Sequence, residues 1–267
     1  MKFRYFPGCT LRTKAKDLDN YARKCAEKLG ATLCEIDDWQ CCGGVFVSAN
    51  NEVATKLSSI RALREARDSM MPLVTVCSAC HNVIKQTNEA VKNDAAFRDK
   101  ANRYLAQDKN DKTDYNGEAE AIHYLEMLRD KIGFDKVAEA VTNPLKGKKI
   151  AAYYGCLLLR PGKVMAMDDP ENPRIMEDLI RALGAEPVIY PMRNECCGGY
   201  TYLENRETAL GKAESIKKNA KSFEADMIVT ACPLCKYNLE KSNGDIPTVY
   251  FTELLAEALG IKEEENA

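Results

Sequence analysis

Ten of the twelve cysteines in this chain form two matching sets, and cysteine is the residue whose thiolate binds soft metals and iron–sulfur clusters. Each set contains one isolated cysteine, a Cys-Cys pair followed by Gly-Gly, and a Cys-x-x-Cys motif. In both sets 34 residues separate the pair from the Cys-x-x-Cys motif. The first set is Cys9, Cys41, Cys42, Cys77 and Cys80, and the second set is Cys156, Cys196, Cys197, Cys232 and Cys235.

Five thiolates in each set exceed the four that a structural zinc site or a cubane cluster requires. The surplus predicts either an unusual cluster or a cluster with one thiol held for redox or substrate chemistry. Adjacent cysteines suit different metal atoms of a multinuclear centre, and the following glycines allow close backbone approach to cluster sulfurs. A thioredoxin-like dithiol at Cys77 and Cys80 does not explain the Cys-Cys pair. Structural zinc and buried free thiols are the remaining alternatives.

The two sets belong to an internal duplication. The offset between halves is 147 residues at the first cysteine and 155 residues at the other four. Residues between the cysteines also recur, since Leu29-Gly30-Ala31 matches Leu183-Gly184-Ala185. The second half therefore carries eight extra residues, which we place near 167–173. The first half carries an excess of 28 residues, which we place at about 92–120.

Short apolar strands alternate with helical patterns, which predicts α/β units with parallel sheets. Strands are expected to end directly before each Cys-x-x-Cys motif, where a helix begins; this is the usual position of a site in an open α/β sheet. The predicted elements are a helix from Leu18 to Leu29 that stops at Gly30, a strand at 32–36, a helix at 51–70, and strands at 73–76 and 227–230.

Other residues could act near the cysteines. His81 and Lys236 directly follow the second cysteine of each Cys-x-x-Cys motif, where they could tune a cluster or donate a proton or hydrogen bond. Arg12 and Arg160 could offset cluster charge or meet an anionic substrate, with a surface salt bridge as the alternative. His123 is interpreted as a packing residue on a helix that begins near Ile122.

Cys25 and Cys34 fall outside both sets. Their repeat counterparts are apolar, so both are predicted to be buried small hydrophobic residues. The excess segment at 92–120 is rich in Lys, Asp and Asn, with Phe97 and Tyr104 about two turns apart. It is interpreted as a solvated helix and loop, with docking of a partner subunit as the alternative.

Composition narrows the function classes. The 267 residues carry a formal net charge of −2, which does not favour nucleic acid as a partner. The apolar run at 150–159 is about half the roughly 20 residues that a membrane-spanning helix needs. The amino terminus shows no signal-peptide core. These features predict a cytoplasmic protein, and a reducing compartment disfavours a disulfide framework.

The doubled cysteine pattern resembles the tandem cysteine-rich CCG domains found in the B-type subunit of heterodisulfide reductase. The resemblance extends from Lys2 to Gly260. It implies an α/β fold of two tandem pseudo-symmetric CCG domains, each with a small, mainly parallel sheet flanked by helices. We place these domains at 1–145, including the insertion at about 92–120, and at 146–267.

The resemblance also implies a function. Each cysteine set would bind one noncubane [4Fe-4S] cluster, and the two clusters would cleave a disulfide to two thiols in two one-electron steps. The substrate would be the coenzyme M–coenzyme B heterodisulfide or a related bacterial disulfide. Partners would be an iron–sulfur C-type subunit and a flavin-bearing A-type subunit, in a complex that can bifurcate electrons. Alternatives are an electron-transfer subunit of a lactate- or glycolate-oxidising system, which tandem CCG domains also resemble, and a nonenzymatic zinc scaffold.

Overall fold

The two halves of the chain form two parallel β-sheets of identical topology. A computed structural model describes residues 1–44, 52–107 and 114–262. Within these residues each sheet has four parallel strands, in the orders β2-β1-β3-β4 and β6-β5-β7-β8. The strands are β1 (Lys2–Phe6), β2 (Thr32–Glu35), β3 (Leu73–Thr75), β4 (Ala121–His123), β5 (Lys149–Tyr153), β6 (Glu186–Val188), β7 (Met227–Thr230) and β8 (Thr248–Tyr250).

Helices connect successive strands, because parallel strands require long crossover connections. The predicted α/β class with small parallel sheets flanked by helices is therefore confirmed. The α-helices are α1 (Cys9–Thr13), α2 (Lys16–Lys28), α3 (Leu57–Asp68), α4 (Ser78–Asn93), α5 (Ala95–Leu105), α6 (Tyr124–Glu126), α7 (Phe134–Ala140), α8 (Gly162–Met165), α9 (Ile175–Ala182), α10 (Arg206–Ser222), α11 (Pro233–Lys241) and α12 (Phe251–Ala258). A π-helix follows α6 at Met127–Ile132, and 3-10 helices lie at Val53–Lys56 and Pro191–Asn194.

The central strands are apolar because helices cover both faces of each sheet. All three residues of β3 are buried. The edge strand β2 is less protected: Thr32 is exposed and the other three residues are only partly buried. For this reason Cys34, which was predicted to be buried, is only half-buried. Cys25, on the inner face of α2, is fully buried as predicted.

Two element predictions need correction. The helix predicted for 51–70 begins as a 3-10 helix at Val53 and becomes α-helical at Leu57, while residue 51 lies outside the described residues. His123 was placed on a helix, but it is the last residue of β4 and caps the following helix. Its counterpart Tyr250 is likewise the last residue of β8 and the N-cap of the helix that follows. In both halves the backbone N–H of this residue donates to a glutamate three residues later.

The predicted insertion packs against its own half of the molecule. It contributes α5, in which Phe97 is buried while Tyr104 is 38% exposed. Beyond this helix, the buried Tyr115 hydroxyl donates to Asn88 Oδ1 on α4 at 2.6 Å. Residues 108–113 lie outside the described residues. Docking of a partner on this segment stays a prediction.

The halves are joined by buried contacts. The Thr252 hydroxyl on α12 donates to the Leu18 carbonyl on α2 at 3.1 Å. The hydrophobic core around α2 contains residues of α12 as well. The division at residues 145 and 146 stays a prediction. None of the helices in the described part of the chain has the length and apolar character needed to cross a membrane.

A buried ion pair supports the second half beside β5. The Arg193 guanidinium lies 2.6 Å from Glu177 Oε1, and both side chains are nearly inaccessible to solvent. The Tyr154 hydroxyl donates to the other carboxylate oxygen of Glu177. Burial raises the pKa of Glu177. One carboxylate thus accepts hydrogen bonds from two buried donors.

Removing the Glu177 carboxylate is expected to destabilise the fold. Glu177→Ala leaves a buried guanidinium and a buried hydroxyl without their acceptor, so the free energy of unfolding should fall by about 3–5 kcal/mol. Asp178→Ala is the matched control, because Asp178 pairs with Arg181 in a solvent-exposed salt bridge on the same helix. The control should change stability by less than about 1 kcal/mol. Denaturant unfolding measures both, and equal losses would contradict the prediction.

Candidate metal centre

Four of the cysteines follow the carboxyl ends of strands, so they lie at the same edge of each sheet. Cys77 follows β3 and is the N-cap residue of α4, and Cys232 follows β7 and is the N-cap residue of α11. Cys9 and Cys156 follow β1 and β5, the neighbouring central strands. The prediction that each Cys-x-x-Cys motif lies between a strand and a helix is confirmed. Parallel strands thus deliver cysteines from separate segments to one place in each half.

The five thiols of the first set lie against one another. Cys41 Sγ is 3.6 Å from Cys9 Sγ, and Cys42 Sγ is 3.4 Å from Cys80 Sγ. Cys80 in turn interacts with the Cys77 thiol. The sequence-predicted first set is therefore brought together as a whole.

The second set repeats this arrangement. Cys197 Sγ is 3.5 Å from Cys235 Sγ, and Cys235 also interacts with Cys232. The Cys156 thiol interacts with Cys196. All five cysteines line one small cavity. In each set the isolated cysteine and the first of the pair are more exposed than the other three, which are buried. Each set thus has a buried side and an accessible side.

Backbone groups and glycines fit closely around the sulfurs. The N–H of Gly43 donates to Cys41 Sγ and the N–H of Gly198 donates to Cys196 Sγ, both at 3.4 Å. A Cβ placed on Gly8 would lie 2.8 Å from Cys80 Sγ, and one on Gly155 would lie 3.2 Å from Cys235 Sγ. Sequence reasoning missed these last two glycines as site residues. The Gly-Cys dipeptide shared by both halves was the available signal.

The two sets meet at the boundary between the halves. The Cys77 and Cys232 thiols interact across this boundary, and the interaction raises the pKa of Cys77. Hydrogen bonds with Cys235 and then with Cys77 lower the pKa of Cys232. The Tyr250 hydroxyl lies 2.7 Å from the carbonyl oxygen of Val76 and 3.0 Å from that of Ala231. These two residues directly precede Cys77 and Cys232. Tyr250 therefore holds the two Cys-x-x-Cys segments together.

Neighbouring thiols divide the cysteines into stronger and weaker acids. Hydrogen bonds with Cys41 and Cys80 lower the pKa of Cys42. A hydrogen bond from Cys156 lowers the pKa of Cys196 to about 6. The pKa of Cys80 rises because of its hydrogen bond with the Cys42 thiol and its burial. Each set thus contains a thiol that is readily deprotonated, as a metal ligand must be.

The donor set fits a thiolate-bound metal cluster in its chemistry. Soft donors converge from three chain segments, amides point at sulfur, and both sets have an apolar, buried side. The sulfur contacts are pairwise. Among the described residues no three His, Cys, Asp or Glu side chains are arranged around the position of a single metal ion. The structure therefore defines a shared set of donors and does not define one coordination geometry.

Four other candidates lie beside carboxylates. His81 Nε2 lies 3.4 Å from Glu126 Oε2, and burial lowers the pKa of His81. The Lys236 ammonium lies 2.5 Å from Glu240 Oε1 and 3.5 Å from Glu253 Oε2. A role for either at a cluster stays a prediction. The structure supports the salt-bridge alternative for the two arginines: Arg12 approaches Glu35 at 3.4 Å and Arg160 approaches Glu171 at 2.8 Å.

The chain has two parallel sheets, and five cysteines lie at one edge of each. This arrangement defines a protein with tandem cysteine-rich domains. The CCG cysteine-rich domain matches residues 3–85 and 150–240. The chain therefore belongs to the CCG family, and the resemblance seen in the cysteine pattern is confirmed.

Similar proteins come from several oxidoreductase systems. The chain is 30% identical to the 8-methylmenaquinol:fumarate reductase membrane anchor subunit of Wolinella succinogenes, covering 99% of this chain and 94% of the relative. It is 28% identical to the B-type subunit of the ferredoxin/F420H2-dependent CoB-CoM heterodisulfide reductase of Methanosarcina acetivorans, covering 99% and 91%. It is 24% identical to the glycolate oxidase iron-sulfur subunit of Escherichia coli, covering 94% and 56%.

A solved structure shares the fold. The crystal structure of a hypothetical protein from Helicobacter pylori superposes with a TM-score of 0.75 at 13% sequence identity. The match covers 98% of this chain and 49% of that protein, so the chain spans about half of its length. This likeness concerns the fold alone.

Proposed function

We propose that this chain is the catalytic iron–sulfur subunit of a heterodisulfide reductase-like complex, which cleaves a small-molecule disulfide to two thiols. The observation that carries the proposal is the junction of the two five-cysteine sets, where the Tyr250 hydroxyl lies 2.7 Å from the Val76 carbonyl and 3.0 Å from the Ala231 carbonyl, directly before Cys77 and Cys232. Cleaving a disulfide takes two electrons and two protons, and two one-electron centres side by side match that requirement. The relative named as the B-type subunit of a CoB-CoM heterodisulfide reductase supports the assignment.

The proposed cofactors are two noncubane [4Fe-4S] clusters, one held by each cysteine set. When bound, each cluster would supply one electron to the disulfide. The protein's own groups would support this in two ways. The N–H groups of Gly43 and Gly198 donate to cysteine sulfur and so stabilise its negative charge. The buried thiols keep one side of each set away from water.

Electrons would reach this chain from partner proteins. We propose an iron–sulfur C-type subunit as the direct donor and a flavin-bearing A-type subunit behind it, in the cytoplasm. The sequence has no Gly-x-Gly-x-x-Gly flavin fingerprint and no ferredoxin-type cysteine run. The source of the electrons is thus expected to lie on other chains.

A second candidate function is electron transfer without disulfide cleavage. Two relatives favour it: one is named as a glycolate oxidase iron-sulfur subunit and the other as a fumarate reductase membrane anchor subunit. Both candidates use the same cysteine sets. They differ in whether a disulfide reaches the sulfurs and changes the electronic state of the site.

One experiment separates these functions. Anaerobically purified protein is assayed for iron, acid-labile sulfide and zinc, and is then titrated with cystamine and with the coenzyme M–coenzyme B heterodisulfide while EPR is recorded. We expect about eight irons per chain and a paramagnetic signal that grows with disulfide. The corresponding thiols are the control and should give no signal. Iron without a disulfide response would favour electron transfer, and zinc without iron would overturn both functions.

A further inference from the structure

An open groove runs along the boundary between the halves, beside the second cysteine set. Its volume is about 720 Å³, within the range of small-molecule sites. The first half contributes one wall, with Thr10 on α1, Leu18 on α2 and Lys14 between the two helices. The second half contributes the other wall, where the Tyr202 and Tyr237 rings meet edge to face with centroids 5.7 Å apart. Tyrosine rings, two lysines and three carboxylates thus line a space of ligand size.

Three residues separate this groove from the cysteines. Gly199, Tyr200 and Leu234 line both the groove and the small cavity that contains all five cysteines of the second set. Leu234 lies on α11 and packs closely against Gly199, where an added Cβ would lie 2.8 Å from its Cγ. Tyr200 lies in a turn and is 38% exposed. The tyrosine is therefore the most exposed part of this wall.

Tyr200 also extends from one half to the other. Its hydroxyl lies 4.0 Å from the position of a Cβ on Gly44, in the Cys-Cys-Gly-Gly motif of the first half. Burial raises the pKa of Tyr200, and charge on Cys232 and Cys77 raises it further. The side chain thus stands between the groove and thiols of both sets.

We propose that Tyr200 is a steric gate between the groove and the cysteine sulfurs, and that it determines which molecules reach them. The inference rests on the proposed function, because the molecule it would select is a small organic disulfide. The groove would hold the part of the disulfide that does not react. Rotation of the Tyr200 ring would admit the sulfur–sulfur bond, and bulky groups beside that bond would be excluded.

The gate can be tested by the loss of iron from the cluster-loaded chain. The rate of iron release is measured with a small ferrous chelator, 1,10-phenanthroline, and a bulky one, bathophenanthroline disulfonate. Tyr200→Ala should accelerate release to the bulky chelator by about tenfold, since the obstructing ring is gone. Tyr200→Phe keeps the ring and should behave like the unaltered chain. Phe223→Ala removes a surface ring of similar exposure outside the groove and is the matched control.

A second readout concerns selectivity. In the unaltered chain, cystamine should produce the disulfide-dependent EPR signal at concentrations about tenfold lower than a bulkier disulfide such as oxidised glutathione. In Tyr200→Ala this difference should shrink toward parity. Should Tyr200→Ala lose its clusters on purification, Tyr200→Leu provides a smaller side chain that still fills part of the wall.

The outcomes separate the two proposals. Equal iron release from Tyr200→Ala, Tyr200→Phe and the unaltered chain would overturn the gate. Faster release from Tyr200→Ala, without an EPR response to any disulfide in any form, would support a barrier at Tyr200 while overturning disulfide cleavage. Faster release from Phe223→Ala as well would show general loosening and would also overturn the gate.

Discussion

Serine in place of Cys235 is expected to lower the iron content from about eight to about four atoms per chain. Cys235 Sγ lies 3.5 Å from Cys197 Sγ and also interacts with Cys232, so it occupies the middle of the second set. A serine hydroxyl is a hard, weakly acidic donor and replaces a thiolate poorly as a ligand of iron. The first set keeps all five thiols and should keep its iron.

The matched variants make this result specific. Cys80→Ser is the equivalent change in the first set and should remove the other half of the iron, and the double variant should contain almost none. Cys25→Ser is the control, because Cys25 is buried outside both sets. It is expected to cost stability but no iron. Iron and acid-labile sulfide analysis measures all four proteins. Full iron in Cys235→Ser, or equal loss in Cys25→Ser, would contradict the assignment of the ligands.

The same variants bear on the reaction. If each cluster supplies one electron, a chain with one intact set cannot complete the cleavage, and turnover should fall by more than about 100-fold. An electron-transfer subunit that used only one cluster would lose activity in one single variant and keep it in the other. Comparing Cys80→Ser with Cys235→Ser in the assembled complex therefore distinguishes the two candidate functions.

The sequence predicted the cysteine sets and the fold class because both depend on regular spacing. The duplicated spacing required the two halves to position cysteines alike, and the apolar runs before Cys77 and Cys232 were long enough to indicate strands. The strand that ends at His123 was missed for the opposite reason. It has three residues, too few for a strand periodicity to be separated from the helix that follows.

Contacts between the halves also could not be predicted from the sequence. The pairing of Cys77 with Cys232 and the position of the Tyr250 hydroxyl between Val76 and Ala231 depend on how two domains pack, which no motif records. Tyr200 was missed because the repeat offered no guidance, since its counterpart at position 45 is valine. An internal duplication predicts only the features that the two halves share.

Gly8 and Gly155 provide a test of how closely the backbone must approach the sulfurs. Both have positive φ, +80° and +64°, and directly precede the first cysteine of their sets. Alanine at position 8 would place a Cβ 2.8 Å from Cys80 Sγ, a distance that requires the sulfur or the backbone to move. At position 155 the corresponding distance to Cys235 Sγ is 3.2 Å, which requires a smaller shift.

Gly8→Ala is therefore expected to lose about half of the iron, all of it from the first set, and Gly155→Ala should lose a smaller part from the second set. Gly30→Ala separates sulfur contact from backbone strain. Gly30 has nearly the same φ, +77°, but nothing within 4 Å of an added Cβ. All three substitutions should cost about 1–2 kcal/mol of stability from the left-handed backbone. Only the two beside sulfur should change iron content, so iron loss from Gly30→Ala equal to that from Gly8→Ala would show that strain alone displaces the cluster.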